Sequence, residues 1–215
     1  MAVIAPIDPP HPRQELLNEA IAYMRAGQLV GMPTETLYGI AADALNEAAV
    51  QRVFSLKRRP SHLPLPIIID SMAMLEAIAQ VSETARRLAE EFWPGALSLV
   101  LPAKDVLPKN LLGGTGKVAV RLSSHPVATG LAHGLGGPIT ATSANISGRP
   151  GLLSAAEVDH ALGDGLALIL DGGNAVARTG STVLDTTVDP PVVARPGVLP
   201  EEIIRRFLAG LRKRP

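Results

Sequence analysis

The chain has no cysteine, so disulfides, cysteine-ligated metal sites and cysteine nucleophiles are excluded. Aromatic residues make up only 3%, with one tryptophan, two tyrosines and three phenylalanines. The core must therefore be aliphatic, and stacking platforms for nucleobases are scarce. Neither charge sign is in excess: 20 basic and 20 acidic residues give a formal net charge of zero. That argues against a general nucleic-acid coat and leaves room only for a local basic patch. No apolar run approaches the ~20 residues needed to span a bilayer. The opening M-A-V-I-A-P-I-D-P-P-H-P lacks a charged leader and is broken by prolines, so it does not read as a signal peptide. The expectation is a soluble, cytoplasmic protein.

What is present is a chain of 215 residues, 47% hydrophobic, enough for a proper core. No internal repeat, low-complexity tract or long linker divides it, so residues 1–215 are expected to form a single domain. Helices are predicted from Pro12 to about Arg25 with Leu16, Leu17, Ala20, Ile21 and Met24 on one face, after a cap at Asn46, over Met72 to Ile78 and Ser82 to Glu91, from Pro126, after the capping box Ser154-Ala155-Ala156-Glu157, and from Pro200. The last helix is expected to end in Arg212, Lys213 and Arg214. Short apolar strands are predicted over Leu29–Met32, Leu65–Ile69, Ala96–Leu101, Val118–Arg121, Ile139–Thr142, Ala167–Leu170, Ser181–Leu184 and Val192–Ala194. Strands and helices are interleaved, which predicts an α/β fold: one twisted, open, mixed sheet with flanking helices.

Several familiar motifs fail. Gly113-Gly114-Thr115-Gly116-Lys117 resembles a phosphate loop, but Leu111 stands where that loop needs glycine and Val118 where it needs a hydroxyl. No G-x-S-x-G nucleophile elbow exists. The five histidines show no paired metal-ligand spacing, so no protein metal site is expected.

What survives is a set of polar residues at strand ends and turns. Gly31 to Pro60 runs G-M-P-T-E-T-L-Y-G-I into an amphipathic helix that ends in Lys57-Arg58-Arg59-Pro60. Its turn offers hydroxyls, Thr34 and Thr36, beside Tyr38, and its helix end offers cations. Arg121 ends V-A-V-R. Ser143 and Asn145 follow I-T-A-T, Ser181 opens S-T-V-L-D, and Arg195 ends V-V-A-R. Strand ends are where ligands sit in open α/β sheets. Cations plus hydroxyls without a carboxylate cluster suit binding ATP and stabilising charge on its phosphates.

At these residues the chain resembles the YrdC-like threonylcarbamoyl-AMP synthases, TsaC in the short bacterial form. P-T-E-T-L-Y-G-I, K-R-R-P, W-P-G-A-L-S-L-V-L, V-A-V-R-L, T-S-A-N-I-S-G, S-T-V-L-D and A-R-P-G follow in that family's order, over about residues 27–207. The resemblance implies an L-threonylcarbamoyladenylate synthase. L-threonine, bicarbonate and ATP, with Mg²⁺ on the nucleotide, would give threonylcarbamoyl-AMP and pyrophosphate. Other proteins, the downstream tRNA threonylcarbamoyl transferases, would pass the group to the adenosine beside the anticodon.

The resemblance also implies roles. Lys57 and Arg59 would be catalytic and hold phosphates. Thr36, Arg121, Ala141 and Ser181 would bind threonine, and Lys117, Ser143, Asn145 and Arg195 would join Lys57 and Arg59 on ATP. It implies a positively charged concave face that could receive tRNA or duplex RNA. Leu63 and Ile68 replace a family asparagine and histidine, so those two contacts are missing or replaced. The chain is expected to lack the long form's extra C-terminal domain, so closure over the site must come from elsewhere. Three rival readings are an RNA-binding module without catalysis, a paralogue acting on carbamoyl phosphate and a paralogue of unknown substrate.

Overall fold

The computed structural model describes residues 2–177 and 179–211, so the expected cations Arg212, Lys213 and Arg214 lie outside the described residues. The chain begins β1 (Val3–Pro6), α1 (Gln14–Arg25), β2 (Val30–Met32), β3 (Gly39–Ala41), α2 (Glu47–Lys57) and β4 (Ile67–Ile69). It continues α3 (Met72–Ile78), α4 (Glu83–Phe92), β5 (Leu97–Pro102), β6 (Lys117–Leu122) and α5 (Pro126–Leu135). The remainder is β7 (Ile139–Thr140), β8 (Thr142–Ser143), α6 (Ala155–Leu162), β9 (Leu168–Asp171), β10 (Thr182–Asp185), β11 (Val192–Arg195) and α7 (Glu201–Leu211).

The helices start where their caps are. The Asn46 side chain accepts from the backbone nitrogens of Ala48 and Ala49 at 3.0 and 3.1 Å, and Ser71, Ser82 and Ser154 cap α3, α4 and α6 in the same way. Helix α1 ends at Gly27, whose φ of +74° turns the chain without a Cβ penalty. Replacing Asn46 by alanine is expected to cost about 1 kcal/mol, read as a lower urea midpoint with substrate KM values unchanged.

The mixed α/β architecture is as expected, but its strands fall into two mixed sheets rather than one. The first has the order β1-β9-β2-β3-β8 and the second β11-β10-β5-β6-β4-β7. The stretch read as a single strand from Ile139 breaks at Ala141. Residues before the break pair antiparallel with β4, and residues after it pair antiparallel with β3. Backbone hydrogen bonds fix the crossing: Ala141 N donates to Pro66 O at 2.8 Å while Thr140 N donates to Ala42 O at 2.9 Å. One segment thus stitches the two sheets together, and the site forms at the seam.

The core is aliphatic. One cluster joins the inner faces of β4, β5 and β6 with α2, α3, α4 and α6, and a second packs α1 and α5 against β2 and β9. Of the predicted α1 face, Leu17, Ala20, Ile21 and Met24 are buried, and Leu16 is half-buried at the margin. Among the described residues no helix is long and apolar enough to cross a membrane.

Candidate functional site

The end of α2 sends three consecutive cations three ways. Arg58 takes the left-handed conformation, with φ +49°, which residues other than glycine rarely adopt. Lys57 still belongs to the buried face of α2 and is 1% exposed, while the turn leaves Arg58 outside and swings Arg59 to a cavity of about 200 Å³.

The cavity lies where both sheets, the 34–37 turn and the β11 end converge. Its lining includes Thr36, Arg59, Arg121, Ala141, Ser143, Ser181 and Arg195, seven residues expected to act together. Thr34 organises the turn. Its Oγ1 donates to Leu37 O at 2.6 Å and accepts from the backbone nitrogens of Thr36 and Leu37 at 3.2 and 3.3 Å. The ring of Tyr38 is fully buried, and its hydroxyl donates to Gly173 O at 2.7 Å and accepts from Gly172 N at 3.2 Å. Burial, then the carboxylate of Asp171, pushes that phenol well above its ordinary value.

Three guanidinium groups face this space. Arg59 is held by its own loop: Nε donates to Leu63 O at 3.1 Å and Nη2 to Pro64 O at 2.9 Å. Arg121, only 5% exposed, pairs with Glu35 at 2.7 Å. Arg195 Nη2 donates to Ser181 O at 2.8 Å, and Ser181 Oγ shares a 2.8 Å hydrogen bond with Ser98 Oγ. Burial lowers all three pKa values, and the charge of Arg195 lowers those of Arg59 and Arg121 further. Three guanidinium groups thus converge on one small cavity, one of them paired with Glu35.

Lys57 and Asn145 stand behind this lining rather than in it. Lys57 Nζ donates to Ser143 O, to Asn145 O at 2.7 Å and to Asn145 Oδ1 at 3.1 Å. Ser143 Oγ donates to Asn145 Oδ1 at 2.5 Å, and Asn145 Nδ2 donates to Ile146 O at 3.1 Å and to Arg149 O. The three N–H groups of the ammonium thus have three acceptors, and the lysine braces the wall that Ser143 forms.

Lys117 is not brought to the cavity. It opens β6, four residues and roughly 13 Å along the strand from Arg121, and it pairs with Asp185 at 3.2 Å. The preceding glycines 113, 114 and 116 all have positive φ, in the turn that leads into β6. Leu63 contributes only its carbonyl, to Arg59, while Ile68 is fully buried in the cluster with α1 and α5. Among the described residues no group of three or more His, Cys, Asp or Glu is placed to hold a metal ion.

Two residues of the site went unread in the sequence. Glu35 sits within P-T-E-T, and a lone carboxylate among cations was its only signal. Ser98 sits in L-S-L, where a serine alternates with buried leucines.

The rim is closed by a close approach. A Cβ added to Gly197 would lie 2.4 Å from the Gly180 oxygen, the Ser181 carbonyl carbon and the Thr182 nitrogen. These backbone atoms cannot rotate away. Gly197→Ala is expected to cost about 1–3 kcal/mol by overpacking and to displace Arg195 from Ser181. The test is the urea midpoint, which should fall.

A family model of Sua5, YciO and YrdC proteins, described as "Telomere recombination", matches residues 22–197. A threonylcarbamoyl-AMP synthase of Pyrococcus abyssi is 45% identical over 197 residues, covering 91% of this chain and 58% of that protein. A putative threonylcarbamoyl-AMP synthase of Mycobacterium tuberculosis is 39% identical over 200 residues, covering 93% of this chain and 92% of its own length. The crystal structure of Pyrococcus abyssi Sua5 complexed with L-threonine superposes with a TM-score of 0.92 at 42% identity, over 95% of this chain and 60% of that one. The chain thus spans less than two thirds of the Pyrococcus protein and nearly the whole of the mycobacterial one.

Proposed function

The chain belongs to the Sua5, YciO and YrdC family, and on that premise we propose that it is an L-threonylcarbamoyladenylate synthase, joining L-threonine, bicarbonate and ATP. One observation carries the reading: Arg59, Arg121 and Arg195 converge with Thr36, Ser143 and Ser181 on one small cavity. A carboxylate and a phosphate chain are the groups such a set recognises. The names of the relatives and the threonine bound in the Pyrococcus structure agree with it.

In this reading Arg121 grips the threonine carboxylate through its fork, beside the hydroxyls of Thr36 and Ser181 and the backbone of Ala141. Arg59 and Arg195 take the phosphates. Ser143 borders the nucleotide, with Asn145 and Lys57 bracing it from behind. About 200 Å³ is less than the ~300–1,000 Å³ of pockets that bury a drug-sized ligand, so part of the nucleotide extends past the rim. Magnesium arrives with ATP as part of that substrate. Lys117 lies outside the cavity, paired with Asp185 at 3.2 Å, so a contact with ATP would have to come from the part of the nucleotide beyond the rim.

The chemistry follows from charge. The neutral amine of threonine and bicarbonate form a carbamate, with loss of water. A carbamate oxygen attacks the α-phosphorus, the bond to the β-phosphate oxygen breaks, and pyrophosphate leaves as Arg59 and Arg195 stabilise its growing charge. Catalysis is then mainly positioning and preorganised electrostatics. The adenylate would go to a tRNA-modifying transferase, and the cytoplasm is where that substrate is made.

The test is pyrophosphate release from ATP and magnesium with each co-substrate omitted in turn. Release should require both L-threonine and bicarbonate and collapse in Lys57→Ala combined with Arg59→Ala. Release that ignores threonine, or survives that double change, overturns the reading.

A further inference from the structure

The turn at residues 34–37 carries one acidic side chain, and the mechanism above does not use it. Glu35 bridges two partners: its Oε1 accepts from Arg121 Nη1 at 2.7 Å and its Oε2 from Ser123 Oγ at 2.6 Å. Ser123 is itself fixed, 2% exposed. Its hydroxyl accepts from His125 N at 3.1 Å, and its carbonyl accepts from Thr129 Oγ1, in the first turn of α5, at 2.8 Å. On the other side the Thr34 hydroxyl locks the turn that presents Glu35. The carboxylate is therefore clamped between the 34–37 turn and the junction of β6 with α5.

The placement decides what the pair does. Arg121 lines the cavity and Glu35 does not. Glu35 meets the guanidinium outside the space a ligand fills, so a ligand need not displace it. A guanidinium carries five N–H donors in a rigid fork, and one engaged by Glu35 leaves others for the cavity. Remove Glu35, and a buried arginine loses its counter-charge while Arg195 still repels it. Its side chain also regains rotamers that the pair had frozen.

We infer that Glu35 is the positioning residue of the site: it fixes the fork of Arg121 so that its free N–H groups meet the carboxylate of the amino-acid substrate. The inference rests on the proposed function for the identity of that substrate, while the hold of Glu35 on Arg121 does not.

The experiment has two arms. The first follows the guanidinium nitrogens by ¹⁵N NMR, with the Arg121 signals assigned through their loss in Arg121→Lys. Wild type should show separate, slowly exchanging Nη signals for Arg121, and Glu35→Ala should merge them. The second measures KM values in the pyrophosphate-release assay. Glu35→Ala should raise the KM for L-threonine at least tenfold and that for ATP less than twofold. Glu35→Gln, which keeps an acceptor for Arg121, should restore the threonine KM to within about threefold of wild type. If Glu35→Ala does not fold, Glu35→Asp takes its place. It keeps the charge but is one methylene too short to span both partners, so the same changes should appear at smaller size.

Unchanged Arg121 signals overturn the inference. So do KM values for threonine and ATP that rise in parallel, or a Gln variant as impaired as the Ala variant. Wild-type protein with no threonine-dependent release refutes the proposed function instead, and the NMR arm still decides whether Glu35 holds Arg121.

Discussion

Arg121→Ala is expected to lose roughly 100-fold or more in kcat/KM for threonine and, at the same time, about 3–5 kcal/mol of stability. The two losses have separate causes. The first is the forked contact to a carboxylate, about two charge-assisted hydrogen bonds. The second is Glu35, left with Ser123 as its remaining partner in a site where its side chain is 17% exposed. Urea midpoints and KM values separate them. Arg121→Lys keeps the charge and should recover most of the stability. It should recover little of the threonine affinity, because an ammonium cannot reproduce the fork. Equal recovery of both would mean that Arg121 serves the ion pair alone.

Lys57 gives the second large effect, and it depends on pH. Burial, reinforced by the neighbouring Arg59, pulls its ammonium from the ordinary 10.5 to about 7. The native pKa then lies below the unfolded one. Below pH 7 both states hold the proton and the cost of burying the charge is felt in full. Between pH 7 and 10.5 the unfolded chain keeps a proton that the native chain has released, so stability rises with pH. Lys57→Met cannot titrate and serves as the reference. The unfolding free energy of wild type should gain roughly 2 kcal/mol on that variant between pH 7 and pH 9, at up to ~1.4 kcal/mol per unit. Denaturant titrations at pH 7, 8 and 9 measure it. A flat difference would mean that the acceptors at Ser143 and Asn145 keep the lysine charged throughout.

The helices were legible from their apolar faces, and α2, α3, α4 and α6 from side-chain caps as well. Leu17, Ala20, Ile21 and Met24 repeat at helical spacing, and Asn46 and Ser154 mark starts that the backbone uses. Strands of two to four residues carry no such period. β1 is apolar with three of its four residues exposed and ends at a proline, β3 hides in a stretch read as a turn, and β8 starts at the last residue of the strand predicted over Ile139–Thr142. The break at Ala141 depends on which backbone lies alongside, Pro66 on one side and Ala42 on the other, and no local pattern announces it. It is this break that divides the expected single sheet into two.

The site was readable as a set of residue types and less so as geometry. Arginines and hydroxyls at strand ends and turns were expected to act together, and seven of the expected residues, Ala141 among them, line one cavity. Lys57 continues the buried face of α2 at helical spacing from Val53 and Phe54, while the direction of Arg59 depends on the left-handed turn at Arg58, which an arginine does not advertise. Lys117 was expected on ATP from the family resemblance alone, since its glycine-rich approach fails as a phosphate loop, and strand direction places it at the opposite end of β6 from Arg121. Glu35 was overlooked because a carboxylate acquires its role from what it faces, here an arginine 86 residues away in sequence.

The central claim is that this cavity builds a mixed anhydride between a carbamate and AMP. It is tested most directly by supplying ¹³C-bicarbonate with L-threonine, ATP and magnesium and weighing the nucleotide product by mass spectrometry. The account predicts an adenylate that carries one ¹³C together with threonine, formed by wild type and absent with Arg59→Ala. An unlabelled product, or no threonine-bearing adenylate from protein that still binds duplex RNA, would contradict it and leave the arginine cluster as a cradle for a phosphate backbone.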